Sequence, residues 1–342
     1  MIKSIRSLGE LEEVLSAPSP EDIAAFRKLE GDLIIIGVGG KIGPSLALRA
    51  ARTAEQAGTK FRIYGTDIHC EQDAAKRLEA AGVKILCVDL LDPTSFATLP
   101  EAPNVIFMAG RKFGSTGAES LTWAMNAYVP ARVAERYRDS RIVVFSSGNI
   151  YPFVPVGSGG ATEDVPTSPI GDYAQSVLGR ERMFEYFSSR YDTPITVLRL
   201  NYAVDLRYGV LHDIASKVFT GKTIDVSMGA ANVIWQGDVC SVALRSLAHC
   251  QAPPFVLNIT GPETFSVRAV AKRFGALLGK EPILEGQEST NALLNNAGRC
   301  FKLFGYPSVS LDQMMEWTAE WIKMGGKTID KPTHFETRDG KF

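Results

Sequence analysis

The segment Asp32-Leu-Ile-Ile-Ile-Gly37 runs straight into Gly37-Val-Gly39-Gly40-Lys41-Ile42-Gly43 and then into an Ala/Leu/Arg-rich stretch ending near Ala57. No other part of the chain restricts its fold as much. The unbroken apolar run suits a strand buried on both faces, as parallel sheets require. The glycines between that strand and the helix after it have separate tasks. One permits the tight turn, one lets the backbone approach a pyrophosphate, and one lets helix and strand pack closely. The helix N-terminus then presents N–H groups and a positive dipole end to the phosphates.

Glycine turns are common in α/β proteins, so the context has to carry the reading, and it does. Strands are expected at Lys60 to Gly65, Lys84 to Val88, Asn104 to Met108 and Arg141 to Ser146, separated by helices at Glu71 to Ala81 and Leu121 to Tyr137. Such alternation implies right-handed βαβ crossovers and a parallel sheet. A Gly/Pro/Ser-rich loop, Tyr151 to Gly171, leads to a long helix, Tyr173 to Ser189, and a strand, Ile195 to Leu200. From Asn201 the pattern reads as irregular until a last strand, Phe255 to Ile259. Helices Val267 to Leu278 and Leu311 to Trp321 follow. Two short helices precede the sheet, Leu8 to Leu15 and one capped by Ser19 with Pro20 at its first position.

The fold class is therefore α/β, a doubly wound parallel sheet of Rossmann type with a smaller, mostly C-terminal substrate-binding domain. The expected division is a helical extension over 1–30, a dinucleotide-binding domain over 31–200 to which 234–260 returns, and a substrate-binding subdomain from 201–233 and 261–342. A formal net charge of −1 gives no reason to expect nucleic acid or an anionic membrane as partner. Cys70, Cys87, Cys240, Cys250 and Cys300 form no C-x-x-C pair and the four histidines do not cluster with them, so no metal site is expected. With no apolar run near the ~20 residues of a membrane span, and no leader-like N-terminus, the reading is a cytoplasmic protein.

Gly65-Thr-Asp67 closes the second strand. Its carboxylate lies where an acid can bind the diol of an adenosine ribose, which favours NAD over NADP because a 2′-phosphate would meet like charge. The plainer alternative is that Asp67 caps the next helix. Asp89-Leu90 ends the third strand at the carboxyl edge of the sheet, where ligands collect.

At this point the chain resembles the extended short-chain dehydrogenases/reductases, the group of NAD-dependent epimerases and dehydratases. Gly37, Gly40 and Gly43 are similar to that family's G-x-x-G-x-x-G turn, Val88-Asp89-Leu90 to the segment that contacts adenine, and Met108-Ala109-Gly110 to the stretch beneath the cofactor. Asn126 falls where the family keeps an asparagine. Phe145-Ser-Ser147-Gly-Asn149-Ile-Tyr151 resembles the segment bearing the catalytic serine, Thr162-Glu163-Asp164 the segment before the catalytic tyrosine, and Tyr173 lies where that tyrosine belongs. Arg199-Leu-Asn201, Gln236-Gly-Asp238-Val239 and Asn258-Ile-Thr-Gly261 extend the likeness to about Trp321. The resemblance implies that Ser147 and Tyr173 are catalytic, and that Gly37, Gly40, Lys41, Ile42, Gly43, Asp67, Asp89, Leu90, Ala109, Gly110 and Asn126 bind NAD. It also implies a homodimer formed through the helices Leu121 to Tyr137 and Tyr173 to Ser189.

One departure stands out: the family's Y-x-x-x-K reads Tyr173-Ala-Gln-Ser-Val177. A lysine at i+4 would share a helix face with the tyrosine, hold the nicotinamide ribose and draw the phenol pKa down from about 10. Arg180, two turns on, could partly replace that charge, though it reads more simply as a solvated helix residue. Lys112, after Arg111, is a further candidate base, with surface solvation as the plain alternative. For the substrate, Lys112, Asn149, Asn201 and Arg207 are candidates, with Lys222 beside Arg207 as a possible anion contact. The function expected is NAD-dependent oxidation, epimerisation or dehydration of a sugar-like secondary alcohol, such as a nucleotide sugar. The alternative is a dinucleotide-binding regulatory or scaffold protein that lost turnover with its lysine.

Overall fold

A computed structural model describes residues 4–68 and 72–341. Cys70 and Glu71, the expected first residue of one helix, lie outside the described residues. The central sheet has seven parallel strands: β1 (Leu33–Ile36), β2 (Ile63–Asp67), β3 (Val83–Cys87), β4 (Asn104–Phe107), β5 (Arg141–Ser147), β6 (Ile195–Leu200) and β7 (Phe255–Ile259). Their spatial order is β7-β6-β5-β4-β1-β2-β3. The order reverses at β1, which pairs with β2 on one side and β4 on the other (Ile36 opposite Thr66 and Phe107). A crevice opens at that switch point, beyond the carboxyl ends of the strands.

Strand alternation divides the core between the two faces of the sheet. Leu33 and Ile35 pack with the helices Gly43–Ala57 and Gln236–Ser246. Ile34 and Ile36 pack with Val129, Val133 and Phe184, from the helices Val129–Arg136 and Gly171–Tyr191. A separate core gathers the helices Val210–Thr220, Val267–Leu278 and Leu311–Lys323 beside the carboxyl edge of the sheet. This is the α/β Rossmann architecture with a smaller, mostly C-terminal unit.

The structure corrects the reading of 201–254 as irregular, because two helices lie there, Val210–Thr220 and Gln236–Ser246. The first is rich in β-branched residues and the second carries Gly237 near its start, both poor helix formers in isolation. Burial against the rest of the fold overrides that preference. The helix expected over Leu121 to Tyr137 spans 119–136 and contains a wider turn of π type, Ala124–Tyr128. The N-terminal helices are riveted to the sheet layer: buried Asp22 pairs with Arg49 at 2.6 Å and accepts the Ser241 hydroxyl.

Candidate active site

Each glycine of the turn meets a different steric demand. A Cβ on Gly37, whose φ is +96°, would lie 2.5 Å from the Ala109 nitrogen, so only glycine lets β1 and β4 end this close together. A Cβ on Gly43 would lie 2.2 Å from the Val38 carbonyl oxygen, which fixes the helix hard against the turn. Gly40 is different. Its Cβ would meet nothing nearer than 3.5 Å, and it lines a cavity of about 1200 Å³. The helix it leads into begins at Gly43 with no side-chain cap on its N-terminus. An open backbone face at an uncapped helix N-terminus is what a pyrophosphate requires, and the cavity exceeds the ~300–1,000 Å³ of ordinary small-ligand pockets.

Around that turn the expected cofactor residues divide into those that line the cavity and those that stand behind it. Gly37, Gly40, Lys41, Ile42 and Gly110 line it. Asp67 stands one hydrogen bond behind, its carboxylate accepting the Gly39 N–H at 3.0 Å. Ala109 is buried beneath Gly37. Lys41 sends its side chain away from the turn, where the ammonium donates to the Ala203 carbonyl (2.7 Å) and lies 4.1 Å from the centre of the Tyr208 ring. Asp89 folds its carboxylate back onto the Leu91 N–H (2.9 Å), and the Leu90 carbonyl accepts from Arg132 (2.7 Å). Neither is among the residues lining the cavity.

At the other end of the cavity β5 delivers Ser147, and the helix Gly171–Tyr191 delivers Tyr173 from its first turn. Ser147 and Tyr173 line this end together, and the Ser147 hydroxyl acts on the phenol as a hydrogen-bonding neighbour. Burial pushes the Tyr173 phenol above the ordinary tyrosine range, opposed by the positive charge of Arg180 and by the Ser147 hydroxyl. The end of β5 is held from behind by a buried network: Ser146 donates to Glu181, which forms an ion pair with Arg199 at 2.8 Å.

Val177 is not among the residues lining the cavity, although Tyr173 packs against the same apolar cluster. Val177 is 1% exposed and packs with Ile150, Tyr151 and Ala161. Arg180, read from sequence more simply as a solvated residue, is instead 6% exposed and lines the cavity. Side chains on a helix lean toward its N-terminus, so a long residue two turns after Tyr173 reaches back toward it. The guanidinium donates to the Phe145 carbonyl (2.7 Å) and to the Asn126 side-chain oxygen (3.0 Å), and lies over the Phe107 ring. A Cβ on Gly110 would fall 2.2 Å from it, so that glycine clears its seat. Burial lowers its pKa to about 10, which leaves it charged at neutral pH.

Asn126 organises this corner. Its oxygen also accepts the Arg111 N–H (2.9 Å), while its amide donates to the Arg111 carbonyl (2.9 Å) and to Ser176 (3.0 Å). It holds the loop after β4 and the helix Gly171–Tyr191 together without lining the cavity itself.

Of the substrate candidates, Lys112 and Asn149 line the cavity near Tyr173, and the Lys112 ammonium lies 5.8 Å from the Tyr173 ring centre. Burial lowers the Lys112 pKa to about 8, offset in part by Asp213. Asn201 is buried and donates to Asn232 at 2.9 Å. Arg207 reaches the cavity with its charge already matched, paired with Glu12 at 2.8 Å and Asp205 at 2.7 Å. Lys222 is exposed and lies off the cavity. The structure adds Tyr202 and Tyr208, which sequence reasoning did not select. Tyr202 takes a left-handed backbone (φ +42°) that non-glycine residues adopt rarely and often at ligand sites. Its place directly after Asn201 was the available signal. Among the described residues no cluster of His, Cys, Asp and Glu could hold a metal ion, and no helix is long and apolar enough to cross a membrane.

Comparison with known proteins agrees with this architecture. The chain aligns over 85% of its length with UDP-glucuronic acid 4-epimerase from Bacillus cereus, solved in complex with NAD (TM-score 0.72, 18% identity, 96% of that chain). UDP-glucose 4-epimerase from Thermus thermophilus, also solved with NAD, aligns with TM-score 0.69 and 18% identity over 85% of this chain and 99% of that one. Pal from Bacillus thuringiensis gives 0.71 at 16% identity, over 85% and 99%. No curated protein matches the sequence. The pattern of the NAD dependent epimerase/dehydratase family matches residues 33–218, more than half of the chain and all of the segment that builds the glycine turn, Ser147 and Tyr173, so the chain belongs to that family.

Proposed function

We propose that this protein is an NAD-dependent enzyme that interconverts a secondary alcohol and a ketone on a sugar-like substrate, as a dehydrogenase or as the redox half of an epimerase or dehydratase. The observation that carries this reading is that Ser147 and Tyr173 line one cavity beside the buried cation of Arg180, the cavity that the glycine turn opens. Gly40 and the N-terminus of the helix Gly43–Ala57 would hold the pyrophosphate, and Asp67 the adenosine ribose. NAD, when bound, would supply the hydride acceptor and donor.

In the oxidation direction Tyr173 takes the proton of the substrate hydroxyl onto its phenolate oxygen. Ser147 donates a hydrogen bond to the oxygen as it becomes a carbonyl. In the reverse direction the phenol returns the proton. Arg180, anchored by Phe145 and Asn126, favours the phenolate by its charge, which is one of the two tasks a lysine at 177 would perform. Because burial raises the phenol pKa, the oxidation rate should climb as pH rises through and above neutrality.

The test is nicotinamide absorbance during incubation with NAD and a set of sugar alcohols. Tyr173→Phe should lower the rate by about 10² to 10⁴. An unchanged rate would remove Tyr173 as acid/base and turn attention to Lys112. Tight NAD binding with no turnover on any substrate would favour a dinucleotide-binding regulatory protein.

A further inference from the structure

The segment 201–209 brings Asn201, Tyr202, Arg207 and Tyr208 to the cavity, while its Val204 and Leu206 are buried in the core of the C-terminal unit. Asp205 and Tyr208 close it into a turn, the N–H of each donating to the other's carbonyl at 3.1 and 3.4 Å. Ala203 pairs with Ile234. The Arg207 carbonyl accepts the Ile329 N–H at 3.1 Å, from an irregular strap of chain that follows the helix Leu311–Lys323. That strap is fixed in turn where the Thr333 N–H and hydroxyl donate to Asp213, at 2.8 and 2.6 Å, and where Phe335 enters the core. These contacts hold the segment on the C-terminal unit.

Lys41 ties it to the glycine turn. Within that turn the Gly39, Gly40 and Gly43 N–H groups donate to Asp67, Gly37 and Gly40, whereas the N–H groups of Lys41 and Ile42 meet no acceptor among the described residues. Those two donors are the ones left for a phosphate. The Lys41 side chain runs the other way, its ammonium donating to the Ala203 carbonyl (2.7 Å) against the face of the Tyr208 ring, 4.1 Å from its centre. Tyr208 in turn meets Phe113, from the loop after β4, edge-on at 6.3 Å. The hold of Lys41 depends on its charge, because a neutral amine loses the attraction to the ring and the added strength of a charged donor. Burial lowers its pKa to about 8, with Asp205 and Asp213 acting to raise it and Arg207 and Lys112 to lower it. An anion placed on the turn favours the charged form.

We propose, resting on the cofactor placement and the alcohol–ketone reading above, that Lys41 is a positioning residue that couples the two halves of the site. A dinucleotide phosphate on the Lys41 and Ile42 N–H groups strengthens the hold of the Lys41 ammonium on Ala203, so the segment 201–209 is set in place as the cofactor binds. The sugar-like alcohol then meets Tyr202 and Tyr208 already ordered. By linkage, a substrate resting on this segment tightens the cofactor by the same factor.

The experiment is amide hydrogen exchange on the full chain, free and saturated with ADP. This probe carries the adenosine and both phosphates but no nicotinamide ribose, so it does not itself cover the substrate end. ADP should slow exchange over the turn and, by about 5- to 150-fold, over 201–209, the usual range for coupling between two sites. In Lys41→Met, folded and at ADP concentrations that saturate it, the slowing should be confined to the turn. Lys41→Arg, which keeps a charged donor, should restore part of it. Equal slowing of 201–209 in the unmodified chain and in Lys41→Met would overturn the proposal. So would an unmodified chain in which ADP protects the turn and leaves 201–209 unchanged, a result that needs no variant to fold. Protection of neither region would overturn the proposal together with the cofactor placement. Nicotinamide absorbance, read in parallel with NAD and sugar alcohols, separates the readings: coupling without turnover counts against the redox function alone, and turnover without coupling counts against the role of Lys41 alone.

Discussion

The glycine turn over 37–43 and the first turns of the helix Gly171–Tyr191 face the same cavity, yet they are built in opposite ways. The turn is a backbone device: Gly37 and Gly43 are required because a Cβ would strike Ala109 or Val38. What it offers a ligand comes from N–H groups that no substitution of a distant side chain removes. The helix offers side chains whose positions depend on partners far away in sequence: Tyr173 on Ser147, and Arg180 on Phe145, Asn126 and the empty space over Gly110. A backbone site tolerates little change at its glycines. A side-chain site can move its charge from one helix position to another, provided the neighbours are rebuilt to receive it, and here the cation stands at 180 rather than 177.

The strongest way to break that comparison is to restore the lysine. From sequence alone Val177→Lys promises a cation beside Tyr173, if the side chain reaches the ribose without a clash. The structure changes this expectation, because Val177 is buried among Ile150, Tyr151 and Ala161 and lines no part of the cavity, so an ammonium there would be taken out of water. Val177→Lys should cost about 3–5 kcal/mol of stability, the scale for an uncompensated buried charge, without raising the rate. Denaturant unfolding of the variant checks this. A stable, faster enzyme would show that the lysine position still faces the ribose.

A smaller effect is expected at Arg180. Arg180→Met keeps most of the volume and removes the charge, so the rising limb of the pH–rate profile should move up by about one unit or more. At a fixed neutral pH the rate should then fall about tenfold. Arg180→Lys should recover part of this shift, since the charge returns without the fork that reaches both Phe145 and Asn126. A profile that stays in place in Arg180→Met, with the protein folded, would reduce Arg180 to a packing residue.

The mildest expected effect is the choice of cofactor. Asp67 stands behind Gly39 at the end of β2, so NAD should bind more tightly than NADP, and Asp67→Asn should narrow the difference. Equal affinities in the unmodified protein would place Asp67 away from the ribose.

The two halves of the site also differ in how far sequence reveals them. The turn is legible because its constraints are local: a buried apolar run, then glycines at fixed spacing, then a helix. Ser147 and Tyr173 are legible only through likeness to a family, and the structure brings both to one cavity. The seat of Arg180 is not legible, because it needs a strand end, a π-type turn carrying Asn126 and the bare Gly110, which only the fold assembles. The helices Val210–Thr220 and Gln236–Ser246 escape for a related reason, since burial outweighs their weak local preference. The strap has no periodicity at all. Its course is set by single contacts such as Thr333 with Asp213.

Gly40 is where the backbone half of the comparison meets its most direct test, because the structure leaves room there for a side chain while the proposed ligand does not. Calorimetric titration of NAD into the unmodified chain and into Gly40→Val should show binding in the first and none in the second, with equal melting temperatures in the absence of NAD. Undiminished NAD binding by a folded Gly40→Val variant would contradict the placement of the pyrophosphate at this turn, and with it the site from which Tyr173 and Arg180 are argued to act.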